Sequence, residues 1–351
     1  MNVWYLVFRP ESLTYTVAKA LSYGGHDVFI WVVDPMRDEG APDGIRRRIR
    51  EIPRVKIIAS EQARLPDVID RLIVQVFPRP MESIQDIGPL ARRARNITLI
   101  TAGDRSHSWR GALQLQWLEL RKLALHAYKI DRVLFKDGFY PHDLLGLFKN
   151  RRAVGFDVHS QFLHDSTLFH AMHARDWNPE APRPIRVNFL GSRDPSNRAR
   201  ILDTLRPMFP SASGGSASAV HGMIGYWHEY PDVAPIGLDP LEFVSVLSRS
   251  DFTLCPCGYS LVTHRPIEAL LRGSIPVLSA NELDLYGIDL IDGTNCVGVQ
   301  DGHWSQALQQ LAGTKEQTLI EMRRNVHAMF DSDLRYETIS KGIRIRLGVE
   351  D

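Results

Sequence analysis

The chain of 351 residues is 44% hydrophobic and 24% charged, an ordinary globular composition that excludes disorder, collagen and coiled coil, and its length suits two domains or one large one. Lys and Arg total 42 against 41 Asp and Glu, so a formal charge of +1 supplies no long-range field for nucleic acid or an anionic membrane. Any anion must be caught locally, and the excess of Arg over Lys provides planar forks suited to phosphate or carboxylate.

The opening MNVWYLVFRPESLTY has neither a basic flank nor a cleavage site, and no apolar run reaches the roughly 18 residues of a membrane span. Residues 3–8 read as a strand, followed by a turn at Arg9–Pro10 and a helical pattern through Leu13, Val17, Ala18 and Leu21 that stops at Gly24–Gly25. HDVFIWVVD resumes as a strand, so the chain opens as β-α-β, the start of a parallel sheet. The Arg-rich stretch 36–56, with RRRIR at 46–50, carries flanking acids and reads as an exposed loop or helix. Further strands are expected at 71–77, 97–101 and 132–135, with a long helix over 112–128 that Trp109, Trp117 and Tyr128 pack into the core.

DWNPEAPRP (176–184) holds three prolines and reads as a linker. Strand and helix then alternate again: strand 185–191, helix 198–205, a small-residue loop at 211–219, helix 240–250, strand 251–256, helix 264–273, strand 274–279 and an amphipathic helical tail from about 315. Cys255, Cys257 and Cys296 are too few for a disulfide framework, which points to a reducing cytoplasm. The C-x-C has no second Cys/His pair at ligand spacing and reads as buried thiols rather than zinc. The expected architecture is two Rossmann-like α/β domains facing a cleft, one at 1–180 and one at 185–330, with a helix at 331–351 returning to the first.

The most informative run is DFTLCPCGYSLVTHRPIEALLRGSIPVLS, residues 251–279. A strand, a Gly-containing loop, a helix start that tolerates Pro266, and a stop at Gly273 together place free N–H groups at the carboxyl edge of a parallel sheet. Arg265 can present a fork to phosphate, and Glu268, three residues on, can accept from the two hydroxyls of a ribose. The competing reading is an ordinary exposed i,i+3 ion pair.

Gly258, Tyr259, Ser260, Arg265, Glu268, Ala269, Gly273, Ile275, Pro276 and Val277 form a pattern that resembles the nucleotide-sugar half of exostosin-like glycosyltransferases and, more broadly, GT-B glycosyltransferases. RVNFLGSRDPSNRARIL (186–202) resembles the first strand and loop of a GT-B carboxyl-terminal domain. The resemblance implies donor-binding roles for Gly191, Ser192, Arg193, Arg198, Gly258, Tyr259, Ser260, His264, Arg265 and Glu268. Retaining GT-B enzymes carry a second glutamate eight positions before the ribose glutamate; Ser260 stands there, which fits an inverting, metal-independent transferase of hexosyl type.

Such a reaction needs a base for the acceptor hydroxyl and positive charge for the departing diphosphate. Candidate bases on loops after strands of the first domain are Asp104, His107, Asp157 and His159, with Glu11 and Asp137 behind them. The partners implied are a nucleotide-sugar co-substrate, with UDP-sugar as the expected donor, and a glycan or small-molecule hydroxyl acceptor, with no further cofactor. Trp4, Trp109, Trp227 and Tyr259 are candidates to stack on sugar or base. Two other readings stay open: a GT-B epimerase or nucleic-acid-base transferase, and a non-catalytic nucleotide-sugar-binding subunit.

Overall fold

The computed structural model describes residues 1–7, 12–32, 45–59, 65–76, 87–101, 124–135, 158–193, 196–209, 217–220, 223–230, 238–258, 262–300 and 302–351. The chain divides into two compact units, Met1–Gly155 with Ile339–Asp351, and Phe156–Thr338.

The first unit is built on β1 (Asn2–Val7), β2 (Asp27–Val32), β3 (Val55–Ala59), β4 (Ile69–Val76), β5 (Ala94–Thr101) and β6 (Ile130–Phe135), a six-stranded sheet in the order β3-β2-β1-β4-β5-β6. Every pairing is parallel, and the strands are accordingly rich in buried Val, Ile and Leu. Helix α1 (Ser12–Tyr23) closes the first β-α-β unit, and Gly25, at φ +79°, lets the chain turn straight into β2. The Arg-rich stretch forms the short helix α2 (Ile45–Arg50), of which Ile49 alone is buried. Helix α3 (Ile87–Arg93) lays Leu90 and Ala91 on an apolar cluster with Trp4, Leu6 and Trp31, so Trp4 is a core residue.

Two expectations change here. Residues 124–129 form a 3-10 turn, not the end of an α-helix, and Tyr128 is 81% exposed rather than packed inward. A three-residue period does not continue the 3.6-residue stripe on which the inward placement depended. The rest of that segment, including Trp109 and Trp117, lies outside the described residues.

The second unit begins with α4 (Ser160–His164) and α5 (Ser166–His173). Its sheet contains β7 (Ile185–Ser192), β8 (Ala217–Val220), β9 (Met223–Tyr230), β10 (Ser250–Leu254), β11 (Ile275–Ser279) and β12 (Val297–Val299), in the order β12-β11-β10-β7-β9-β8. All pairings are parallel except the β8–β9 hairpin, so the last three residues of the stretch expected as a small-residue loop, 217–219, instead belong to an edge strand. Helices α6 (Ser196–Leu205), α7 (Pro240–Ser248), α8 (Arg265–Leu271), α9 (Trp304–Ala312) and α10 (Glu316–Met329) complete the unit. Trp227 is core, packed on Phe189 and Phe209.

The Pro-rich stretch 176–184 is no linker between domains. Trp177 is buried and donates through Nε1 to Leu271 O at 3.1 Å, while Arg183 donates to Ser250 O at 2.7 Å. Arg272 reaches Ala174 O and Asp176 at 2.8 Å each, and the fully buried Arg323 reaches Ala181 O at 2.8 Å. Prolines bar regular structure but leave side chains free to pack. The boundary therefore falls at 155/156 rather than near 180.

The final helix α11 (Tyr336–Arg346) carries the chain back, with residues 339–351 belonging to the first unit. Thr98 Oγ1 donates to Leu347 O at 2.9 Å, Arg71 to Gly348 O at 2.7 Å, and Arg344 to Ala20 O at 3.1 Å. The return thus begins at 339, not 331.

Gly273 has φ +70°, and a Cβ there would lie 2.5 Å from the Trp177 ring. Gly273→Ala should cost about 2 kcal/mol or more through combined backbone strain and ring displacement. A lowered midpoint of thermal unfolding of the full chain is the measurement that checks it.

Candidate functional site

After β7 the chain passes through α6 to β9 on one side of the sheet, and after β9 it passes through α7 to β10 on the other. The carboxyl ends of β7 and β10 are adjacent, and their loops leave in opposite directions. This is the switch point of an open parallel sheet, where the crevice that takes ligands forms. The register Thr253↔Asn188, carried forward, brings Ser192 level with Cys257.

Arg198 on α6 spans that gap. Its Nε donates to Cys257 O at 3.2 Å, and its Nη1 donates to Ser192 O at 3.3 Å and Ser192 Oγ at 3.1 Å. A Cβ at Gly258 would stand 2.2 Å from Arg198 Nη2, so a side chain there would displace the guanidinium from this position. Gly191, Ser192, Arg198 and Gly258, drawn from two separated stretches of sequence, are therefore one local assembly. Arg193, next to Ser192, pairs with Asp203 and lies 3.4 Å from Glu229, and the hydrogen bond it donates to Asp203 holds its guanidinium above its ordinary range.

Helix α8 has seven residues and is buried from Pro266 to Leu271. Arg265 Nη1 lies 3.3 Å from Glu268 Oε2, and the Arg265 guanidinium sits 4.3 Å from the ring centre of Phe243. Glu268 is 2% exposed, and its Oε1 accepts from the His159 backbone N–H at 3.0 Å. The pair is thus neither an exposed surface ion pair nor an open ribose acceptor. Both carboxylate oxygens are engaged from inside the unit.

His159 belongs to the second unit, not the first as the sequence suggested. Its N–H is committed to Glu268, its Nδ1 faces Gln161 N at 3.5 Å, and its ring meets His264 edge-on at 5.7 Å between centres. The structure therefore brings His159, His264, Arg265 and Glu268 together. Asp104, His107, Asp157, Glu11, Asp137, Tyr259 and Ser260 lie outside the described residues.

Cys255, Cys257 and Cys296 are buried free thiols, and burial raises the Cys255 and Cys296 thiols, the latter to about 12. Among the described residues no three His, Cys, Asp or Glu side chains form a metal-binding group. No described helix is long and apolar enough to cross a membrane.

Along 97% of its length the chain matches 96% of sucrose-phosphate synthase from Thermosynechococcus elongatus, with a TM-score of 0.55 and 12% identity. It matches Anabaena HepE, solved with UDP and glucose, over 99% of both chains at TM-score 0.55 and 13% identity. TarM matches over 99% of this chain and 98% of its own, at TM-score 0.56 and 7% identity. No family model and no curated protein sequence matches the chain.

The fold is that of GT-B glycosyltransferases. Within this GT-B fold the sequence pattern missed two residues of the second unit. The Thr263 N–H, just before α8, donates to Tyr286 Oη at 3.1 Å, and Tyr286 is buried, which raises its phenol well above the ordinary value. Glu282, in the 3-10 turn after β11 (Ala280–Leu285), is 1% exposed, and burial pushes its carboxyl up to about 8. Their only sequence signal is position, since they follow the carboxyl end of a strand beside the switch point.

The neutral form of Glu282 gives a stability signature. In the unfolded chain the carboxyl ionises near 4.5, so between there and about 8 the folded chain holds a proton that the unfolded chain has lost. That contribution to stability is fully present below 4.5 and is lost as pH rises through the folded value of about 8. Glu282→Gln should remove this slope, checked by urea unfolding of both proteins at a series of pH values.

Proposed function

We propose that this chain is an inverting glycosyltransferase of the exostosin-like type, moving a sugar from a UDP-sugar to a hydroxyl of a glycan or small molecule in the cytoplasm, without a metal or other cofactor. The observation that carries this reading is the assembly at the switch point of the second sheet. Arg198, named by resemblance, joins Ser192 to Cys257 there through three hydrogen bonds from one guanidinium, with Gly191 and Gly258 as their chain neighbours. The GT-B fold, shared with HepE solved with UDP-glucose, supports the donor class.

The reaction is a single displacement. A base takes the proton of the acceptor hydroxyl, whose oxygen bonds to the anomeric carbon as the bond from that carbon to the diphosphate oxygen breaks. The leaving diphosphate gains negative charge, which a fixed guanidinium and backbone N–H groups stabilise without reorganising. Arg198 is assigned this role, with Arg193 beside it. Glu268 is assigned to hold Arg265 and the His159 backbone in place, because its two oxygens are already engaged. His159 and His264 stand near this pair, while the remaining base candidates, Asp104, His107 and Asp157, belong to the sequence reading alone. Ser260, in place of an acid eight positions before Glu268, supports inversion.

One observation favours a second reading, a nucleotide-sugar-binding module without turnover: Arg193 and Arg265 are each already paired with carboxylates of the same unit. Incubation with a panel of nucleotide sugars and hydroxyl acceptors separates the two. Transfer with inverted anomeric configuration, read by NMR of the product, is expected. Arg198→Met should weaken donor binding or turnover by about 10- to 100-fold, the size of a lost charge-assisted interaction. Tight binding with no turnover would establish the module, a product retaining the donor's configuration would overturn inversion, and no binding of any nucleotide would overturn both.

A further inference from the structure

The guanidinium of Arg193 points away from the edge it is assigned to serve. Arg193 follows Ser192 at the end of β7; its Nη2 donates to Asp203, and its Nη1 donates to Glu229 Oε1 at 3.4 Å. Asp203 stands in the last turn of α6, seven positions after Ser196 and so about 10 Å along the axis. The helix runs back from the carboxyl edge, because Phe209, four residues past its end, packs on Trp227 at 4.9 Å between ring centres, and Trp227 is in register with Phe189 in the middle of β7. Arg198, in the first turn of the same helix, instead reaches Ser192 and Cys257 at the edge itself.

One cation between two carboxylates leaves this group with a net negative charge, so in this position Arg193 offers nothing to an incoming diphosphate. Both acids can do without it. Asp203 is exposed and can return to water, and Glu229 Oε2 already accepts from Trp227 Nε1 at 3.3 Å. Arg193 is itself 39% exposed, and an ion pair open to water favours the paired arrangement by about fivefold at most.

We propose that Arg193 is a donor-binding residue that changes partners: in the free chain Asp203 and Glu229 hold its fork against α6 and β9, and a diphosphate at the carboxyl edge draws it away. The movement needs only side-chain torsions, because Arg193 leaves the chain one residue after Ser192, to which Arg198 already donates. Arg198 and Arg193 then share the diphosphate, Asp203 is released to water, and Glu229 keeps the Trp227 N–H. Asp203 thus competes with the donor for one guanidinium and sets affinity without touching the nucleotide. This rests on the donor reading given above.

The sign of two substitutions tests it. A merely structural ion pair changes affinity in the same direction whichever partner is removed, whereas a residue with two alternative partners gives opposite directions. UDP affinity is measured by calorimetry on the full chain for the wild type, Arg193→Met, Asp203→Asn and the double variant. Arg193→Met should bind about tenfold more weakly, and Asp203→Asn about two- to fivefold more tightly. The gain should vanish in the double variant, since Asp203 acts only through Arg193. A gain that persists without Arg193 is the long-range effect of removing a negative charge, and it would overturn the exchange. Asp203→Asn binding no better than the wild type, or Arg193→Met binding no worse, would overturn it too. The same four proteins are titrated with inorganic diphosphate as a second probe. Opposite signs for diphosphate with no binding of any nucleotide would sink the donor reading and leave the exchange standing. UDP binding with changes of the same sign would do the reverse, and a wild type that binds neither anion would end both.

Discussion

The working edge of the second sheet depends on one guanidinium. β7 and β10 lie side by side, yet the chain leaves them toward opposite sides of the sheet, so nothing in the backbone ladder joins their outgoing ends. Arg198 does so, donating to Cys257 O after one strand and to Ser192 O at the end of the other. The rigid planar fork suits this task because its donors point in fixed directions, which a lysine ammonium cannot match. The guanidinium lies in the space that a Cβ at position 258 would take.

The opposite end of the same sheet is held by charge used differently. At the start of β10, Asp251 is buried with Arg186 at 3.1 Å and Arg323 at 3.4 Å, and Arg323 also binds Glu316 at 2.8 Å. Arg183 and Arg323 also tie the 174–186 segment and helix α10 to the sheet by donating to the Ser250 and Ala181 carbonyls. Burying such groups is tolerable only when partners replace water. The balanced composition of the chain therefore conceals a division of labour: paired arginines brace the amino end, and Arg198 shapes the carboxyl end.

Helix α8 shows how tertiary packing can change the meaning of a motif. The i,i+3 spacing of Arg265 and Glu268 places them on one face in any helix. Packing then encloses that face, with Phe243 against the guanidinium and the His159 N–H against the carboxylate. A spacing that suits a ribose and a phosphate equally suits an internal brace. The identity of the neighbouring chain, not the spacing, distinguishes them.

Much was legible in the sequence. Apolar runs marked β1, β2, β4, β5, β7, β10 and β11, because strands buried on both faces have no polar alternation to obscure them. The resemblance carried by Gly258, Arg265, Glu268 and Gly273 pointed to the carboxyl edge of the second sheet, where its switch point lies. Local pattern also misled: prolines at 176–184 signalled irregular backbone, which packing through Trp177, Arg183 and Arg272 turned into part of the second unit. Glu282 was invisible, since a lone acid in a turn has no periodicity or motif. Sequence by itself determined the alternation of strands and helices and the residue types at their ends, because those follow from local periodicity and backbone preference. Only the tertiary structure decided that Arg198 joins two distant strand ends, that Glu268 faces inward, that His159 sits with α8 and that Glu282 is sealed from water. Burial and pairing are set by residues tens to more than a hundred positions away, and no local pattern encodes them.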